Sequence, residues 1–368
     1  MTQLRVLHII SSPSAGGAEV FVKDMALNSN KCDMEAAILF ISDSSSVGRS
    51  KSYEVSFLNE LKNNNISYFI LPKGARRNIL TGRKAFKECI QRFNPTTIHS
   101  HLLSGIIYSY LYSRNINLIY THHTSLIKTN TLIFKVLMKL CNNHISISEQ
   151  CKKVFDRYLR NPSSLIFNAI DEKRVQIKTS ENSSNSIVKL IAVGSIGPAK
   201  NYLLMLKSIQ RVQNKLGNLF KLVIAGEGSK SDTDLLFEFV KKNKLSDVVE
   251  FLGNRSDIPR LLSQSDVFLM SSRREGLPIV LLEAQFTGLP AIVTDVGGCK
   301  EVINQTLGGL VVKPESEEAL SDAIISLISD GSYRQKLSEN ALINSSIFSI
   351  KQCIENHKAQ YQLNNTSR

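Results

Sequence analysis

Residues 266–303 read DVFLMSSRREGLPIVLLEAQFTGLPAIVTDVGGCKEVI, and the order of residue types in this stretch decides the fold class. A short apolar run, Val267 to Met270, leads into a polar turn, then Pro278 at the expected first helical position, then an apolar helical segment that stops at Gly288. A second apolar strand, Pro290 to Thr294, follows at once. Such a strand, helix, strand unit places Ser271 to Pro278 at the carboxyl end of a parallel strand and against a helix N-terminus. Free backbone N–H groups there favour an anion, so the turn is expected to hold a phosphate or sugar phosphate. Two carboxylates sit where folding alone has little use for them: Glu275 in the turn and Glu283 within the apolar helix.

The same alternation extends outward in both directions. LRVLHII reads as a buried strand, and SSPSAGGAEVFVKDMALN as a glycine turn opening a helix, with Gly16 and Gly17 allowing close backbone approach to a ligand and Glu19 in the first turn. Strands AAILFIS, SYFIL, TTIHSH, NLIYTHH and HISIS follow, separated by helical segments such as SYEVSFLNELKNN. DEKRVQIKTSENSSNS is polar and without period, which marks a linker. A second series then runs VKLIAVG, a helix Tyr202 to Leu216, FKLVIAGEG, a helix Asp234 to Asn243, VVEFLG, and a short helix near Pro259 to Ser263. After the opening unit come GLVV and two C-terminal helices. The expected class is α/β, with two Rossmann-like doubly wound domains facing each other across a cleft. Their expected bounds are 1–170 and 188–345, with a linker at 171–187 and a C-terminal helix in 346–368 crossing back to the first domain.

A chain of 368 residues suits two such domains, and 42% apolar with 21% charged residues describes a globular protein. No apolar run reaches the length of a membrane span, and MTQLRVLHIISS passes into a glycine turn without a signal-peptide pattern, so a cytoplasmic protein is expected. Six cysteines show no CxxC pair, which favours reduced, packing thiols. The net charge of +13 is uneven: residues 1–170 hold 21 Lys and Arg against 10 Asp and Glu, or +11, leaving +2 for the rest. In residues 71–93 the cations Arg76, Arg77, Arg83, Lys84, Lys87 and Arg92 can oppose an apolar side of Ile79, Leu80, Phe86, Ile90 and Phe93. LIKTNTLIFKVLMKLC is a second such helix. Helices of this kind either rest on anionic lipid or turn their apolar side into the core; the asymmetry between the halves tips the reading toward an anionic membrane surface. Nucleic acid is not expected, because no helix-turn-helix, zinc-finger or RNA-binding signature is present.

Four of seven histidines stand at strand ends: His99, His101, His122 and His123. Ligands collect there in open α/β sheets. No carboxylate or cysteine joins them at ligand spacing, so no metal is expected. The pair Asp232 and Asp234 reads as an acidic helix start rather than a metal-nucleotide motif.

These motifs resemble the retaining glycosyltransferases of family 4, which have the GT-B fold, over nearly the whole chain. EGLPIVLLE matches the family's E-x7-E pattern, VGSIGPAKN its donor-diphosphate loop, SAGGAE its N-terminal glycine loop, THHTS its histidine turn, and FNAID its entry to the second domain. The resemblance implies that Lys200, with Gly16 and Gly17 from across the cleft, meets the donor diphosphate. Glu275 with Gly276, Leu277 and Pro278 would contact the transferred sugar, and Glu283 the ribose hydroxyls, the plain alternative for Glu283 being an ion pair with a nearby Arg or Lys. His123 matches the active-site histidine, and Asn254 and Arg255 lie where the base is expected. A glycosidase reading of the two glutamates fails, since a nucleoside diphosphate leaves without protonation by a carboxylic acid.

Two departures stand out: Ser195 occupies the place of an Arg beside the diphosphate, and Ala169 that of a Gly. Arg273 or Arg274 is the expected replacement cation. The leading expectation is therefore a metal-independent enzyme with no cofactor, peripheral on the inner face of the plasma membrane. It would move a hexose or N-acetylhexosamine from a nucleotide sugar, UDP rather than GDP, to a lipid-linked saccharide of a surface polysaccharide or glycolipid. The alternatives are another GT-B enzyme, an epimerase or glucan synthase, and a donor-binding partner subunit without activity.

Overall fold

The computed structural model describes residues 3–127, 129–177 and 187–363, so residues 178–186 of the expected linker lie outside the described residues. The chain forms two compact units, residues 1–171 with 348–368, and residues 172–347.

The first unit is built on strands β1 (Leu4–Ile10), β2 (Met34–Phe40), β3 (Ser67–Ile70), β4 (Thr97–Ser100), β5 (Asn117–His122), β6 (Asn143–Ser146) and β7 (Ser164–Leu165). They form one parallel sheet in the order β3-β2-β1-β4-β5-β6-β7. The strands are apolar runs because helices cover both faces of a parallel sheet. After β3 the chain crosses to the other side of β1, so the direction of winding reverses between β1 and β4, where loops diverge and leave room for a ligand. The two-residue β7 carries too short a pattern to be read from sequence.

The last helix, Ile350–Gln362, completes this unit. Ile354 and Tyr361 are fully buried there, and the Tyr361 hydroxyl meets His99 Nδ1 at 2.7 Å. Burying Ile354 alone contributes about 1.5–3 kcal/mol. Asn117 Nδ2 donates to the Tyr361 carbonyl at 3.2 Å, which ties the helix to β5.

The second unit repeats the plan with β8 (Val188–Val193), β9 (Phe220–Ala225), β10 (Val249–Gly253), β11 (Val267–Met270), β12 (Ala291–Thr294) and β13 (Gly309–Val312), all parallel, in the order β10-β9-β8-β11-β12-β13. Its reversal lies between β8 and β11, which brings the loops after those strands together. Three expectations need correction. The helix expected from Asp234 runs Lys230–Lys242, because Ser229 caps it by accepting from the Asp232 amide at 3.1 Å. Pro278 is the residue before the helix Ile279–Thr287 and not its first residue. After β13 the described residues form three helices, since Asp330 ends Glu317–Ser329 and caps Gly331–Asn344 through the Tyr333 amide.

Candidate functional site

In the second unit, the loop leaving β8 is shaped by two close backbone approaches. Gly194 has φ +148° and Gly226 φ +155°, and a Cβ on Gly226 would stand 1.9 Å from the Gly194 carbonyl oxygen. No side chain fits between them. The Lys200 stem lies across Gly194, its Cε 3.0 Å from where a Cβ would be. Ser271 Oγ, after β11, donates to the carbonyls of Lys200 and Asn201 at 3.1 and 3.0 Å, and the Arg273 amide donates to the Ala199 carbonyl at 2.8 Å. The two loops are thereby locked to each other.

That lock brings Lys200 and Glu275 together. Lys200 Nζ donates to Glu275 Oε1 at 2.7 Å, and Ser272 Oγ donates to the same oxygen at 2.5 Å. The two side chains are 20% and 10% exposed, so the pair is largely withdrawn from water yet open to a ligand. Gly297, at φ +55°, backs the turn: a Cβ there would be 2.4 Å from the Glu275 carbonyl oxygen and 2.6 Å from that of Gly276. The Gly298 amide donates to the Gly276 carbonyl at 2.6 Å, and Leu277 is buried. Pro278 offers no side-chain cap, and the Leu281 amide already donates to the Pro278 carbonyl at 3.1 Å, so it is the amides of Ile279 and Val280 that keep their capacity for an acceptor.

One turn further along that helix, Glu283 is paired with the guanidinium of Arg174. This is the ion pair weighed for Glu283 on sequence grounds, and its partner lies in the segment entering the unit. Arg273 is held by Glu315, Nε to Oε1 at 2.6 Å, while Arg274 is exposed. Ser195 is exposed as well. Arg255 makes a bidentate pair with Asp257 at 2.8 and 2.9 Å, and Asn254 is exposed beside it. Next to them opens a hollow of about 360 Å³ bounded by Ile196, Gly226, Gly228, Phe237, Phe251 and Gly253. It has one aromatic side and one backbone side, which suits a flat heterocycle.

In the first unit, the helix Gly17–Asn28 starts at Gly16, where a Cβ would lie 2.1 Å from Glu19 Oε2. The Glu19 carboxylate thus fills the space at Gly16, and burial raises its pKa. Gly17 opens the helix and is exposed. The strand-end histidines meet two more that spacing did not single out, His8 and His357. Register sets His8 of β1 opposite His99 of β4. His8 Nδ1 lies 3.2 Å from His101 Nε2, and His101 Nδ1 lies 2.8 Å from His123 Nε2. His99 is satisfied by Tyr361 and by Thr121 Oγ1 at 2.6 Å. Burial pushes His8 and His123 down to about 3 and His122 and His357 down to about 4, so all four are neutral imidazoles. Ring nitrogens of His8, His99 and His101 lie within 4.8 Å of one another, a spacing compatible with a metal ion. His99 and His101, however, already engage both of their nitrogens.

Comparison with known proteins bears on the family and the fold. The family described as Glycosyltransferase Family 4 matches residues 15–174, and Glycosyl transferases group 1 matches residues 174–343. EpsF of Bacillus subtilis, named as a glycosyltransferase, is 28% identical over 345 residues, 87% of this chain and 86% of its own length. The UDP-Gal:alpha-D-GlcNAc-diphosphoundecaprenol alpha-1,3-galactosyltransferase of Escherichia coli is 30% identical over 172 residues, 46% of this chain and 44% of that enzyme. Among solved structures, Anabaena HepE in complex with UDP superposes with a TM-score of 0.79 at 18% identity, covering 97% of this chain and 99% of its own. The two family matches meet at residue 174 and together run from residue 15 to residue 343, and the protein belongs to the glycosyltransferases of the family 4 and group 1 type, with the paired Rossmann-like domains of the GT-B fold.

Proposed function

We propose that the protein is a retaining, metal-independent hexosyltransferase that moves a hexose or N-acetylhexosamine from a UDP-sugar to a lipid-linked saccharide. The observation that carries this reading is the 2.7 Å junction of Lys200 with Glu275 at the ends of β8 and β11. It sets a cation for a departing diphosphate beside a carboxylate that can accept from sugar hydroxyls. The negative charge that develops on the leaving diphosphate is met by the Lys200 ammonium and by the amides of Ile279 and Val280 at the helix N-terminus, groups already in place before reaction. Glu283 takes the ribose hydroxyls, with Arg174 compensating its charge, and the hollow beside Phe251 takes the base. Retention follows if the leaving phosphate accepts the proton of the incoming hydroxyl on the same face of the sugar. The UDP-Gal donor and undecaprenol-diphosphate acceptor in the name of the E. coli relative, and the UDP in HepE, support this choice of substrates.

No helix among the described residues is long and apolar enough to cross a membrane. A lipid-linked acceptor would be met at an anionic bilayer surface on the cytoplasmic side. The helix Ile79–Phe93 turns most of its apolar side to the core, where Phe86, Cys89 and Phe93 are buried, while Leu80 is 71% exposed. Thr131–Met138 is different: Leu132, Ile133 and Val136 are 71%, 55% and 51% exposed, with Lys135 and Lys139 exposed beside them. That helix supplies the docking face in this reading.

The test is direct. The purified chain is incubated with UDP-glucose, UDP-galactose, their N-acetylamino forms and a GDP-sugar, with an undecaprenyl-diphosphate saccharide, with and without EDTA. Mass and anomeric configuration of the product are then read. An α-linked product from a UDP-sugar in EDTA is the expected result; nucleotide binding without transfer to any acceptor would favour a non-catalytic donor-binding subunit.

A further inference from the structure

Two side-chain-bearing residues of the second unit hold a left-handed backbone: Asn201 at φ +52° and Glu315 at φ +58°. Asparagine enters that region readily, because its short side chain can hydrogen-bond locally. Glutamate does not, and its presence there carries backbone strain. The two side chains meet: Asn201 Nδ2 donates to Glu315 Oε1 at 3.2 Å. The same oxygen accepts from Arg273 Nε at 2.6 Å, and Oε2 accepts from Arg273 Nη2 at 3.3 Å. Asn201 precedes the helix Tyr202–Leu216, where asparagine commonly caps the first amides, yet its side chain makes no such cap. Its amide goes to Glu315 instead.

Stability alone does not account for a glutamate at this position. The side chains of Arg273 and Glu315 are 48% and 54% exposed, and an ion pair so open to water contributes little to folding. A glycine would take up the same backbone without steric cost. The place of the carboxylate explains more. Glu315 follows β13; Asn201 lies in the loop after β8, next to Lys200; Arg273 lies in the turn after β11, two residues before Glu275. One carboxylate therefore grips both of the loops that carry the Lys200–Glu275 pair. The bonds from Ser271 Oγ and the Arg273 amide reach only main-chain oxygens of Ala199, Lys200 and Asn201, and Glu315 adds a tie from a third strand end.

We infer that Glu315 is a positioning residue, a clamp that holds the loops after β8 and β11 at the spacing that brings Lys200 Nζ to Glu275. In this role the Arg273 guanidinium serves the clamp and not a diphosphate. The effect on turnover rests on the function proposed above; the clamp itself does not, since every one of its contacts lies within the second unit.

The full chain, Glu315→Gly, Arg273→Ala, the double variant and Glu315→Gln are compared by thermal melts, UDP calorimetry and steady-state kinetics. Glu315→Gly is expected to keep or raise Tm, because the strained backbone is relieved. It is also expected to lower kcat roughly tenfold or more, a loss that displaced reacting groups can cause, with UDP Kd within about twofold. Glu315→Gln retains an oxygen for Asn201 and is expected to recover part of the loss. Arg273→Ala is expected to lower kcat as Glu315→Gly does, and the double variant to be no worse than either single one. A lower Tm with unchanged kcat in Glu315→Gly would make Glu315 purely structural and overturn the inference. So would UDP Kd values that rise in Arg273→Ala and fall in Glu315→Gly, the pattern of an Arg273 that meets the diphosphate. The melts read the clamp without substrate: Arg273→Ala is expected to lower Tm when Glu315 is present and not when Gly replaces it. That coupling in a protein that transfers no sugar would leave the clamp standing and sink only the proposed function; sugar transfer indifferent to Glu315→Gly would do the reverse.

Discussion

Lys200 Nζ donates to Glu275 Oε1 across 2.7 Å, although the two residues stand 75 positions apart in the chain. The contact exists because the loops after β8 and β11 flank the reversal of the second sheet and are bound by Ser271 and the Arg273 amide. Glu275→Gln keeps size and much of the hydrogen bonding but removes the charge that orients the Lys200 ammonium. Turnover is expected to fall about 10²–10³-fold, the usual cost of losing one preorganised polar contact to the reacting group. Nucleotide Kd is expected to stay within about threefold, on the order of 0.7 kcal/mol. Equal losses in turnover and nucleotide affinity, from steady-state kinetics and calorimetry, would refute the division of roles.

Glu283 answers to a different ligand group. Its carboxylate is paired with Arg174, 109 positions earlier, and a charged acceptor for ribose hydroxyls contributes about 1.5–3 kcal/mol. Glu283→Gln is therefore expected to raise UDP Kd at least tenfold while lowering Tm, since Arg174 is left only partly compensated. Isothermal calorimetry and thermal melts check both; an unchanged Kd would leave Glu283 as a purely structural ion-pair partner.

These two carboxylates show what local pattern can reveal. Glu275 and Glu283 were legible because strand, turn and helix lie within one short unit, where period and punctuation set geometry. The partners were not. Arg174 on Glu283, and Lys200 on Glu275, depend on how distant strands order themselves, which no local spacing encodes. His8 is the sharpest case: it sits in an apolar strand, and only the register that sets it opposite His99 brings it to His101. The helix Ile79–Phe93 was legible as amphipathic, yet sequence could not say whether its apolar side met lipid or core. Tertiary packing made that choice.

Gly297 gives the turn its shape, and a methyl group tests it. A Cβ would stand 2.4 Å from the Glu275 carbonyl oxygen, at φ +55°. Gly297→Ala is expected to cost about 1–3 kcal/mol of stability through backbone strain, and to cut turnover strongly by shifting Glu275. Gly217 has φ +64° with nothing within 4 Å of the added Cβ. Gly217→Ala should pay the conformational cost alone and keep its turnover. Equal kcat for the two variants at a temperature where both are folded would show that the turn tolerates the displacement.

The exposed side of Thr131–Met138 makes a prediction about lipid. Leu132 and Ile133 are more than half exposed, so replacing both by Asp should change folding stability by less than about 1 kcal/mol. Each side chain withdrawn from a bilayer interface forfeits on the order of 1.5 kcal/mol, so the pair should lower partitioning onto phosphatidylglycerol vesicles at least tenfold. Co-sedimentation at low and high salt measures it. Undiminished binding by the double variant would move the docking face elsewhere.

The buried histidines make the first unit sensitive to acid. His8 and His123 titrate at about 3 and His122 and His357 at about 4 when folded, against 6.5 for the free side chain, in each case chiefly through burial. Below pH 6.5 the unfolded chain takes up protons that the folded chain refuses, so their contribution is whole above that pH and is lost as pH falls. Each such histidine costs about 1.4 kcal/mol per pH unit in that range, or roughly 5–6 kcal/mol per unit for four. A domain stable by about 5–15 kcal/mol should then unfold roughly one to three units below 6.5. Carboxylates held low by hydrogen bonds, such as Asp156 with Lys152 and Ser163, contribute only at more acid pH. Circular dichroism across pH 8 to 3 should show a steep loss of structure centred near pH 5. A shallow transition confined below pH 4 would mean that carboxylates, and not the histidine cluster, set the acid limit.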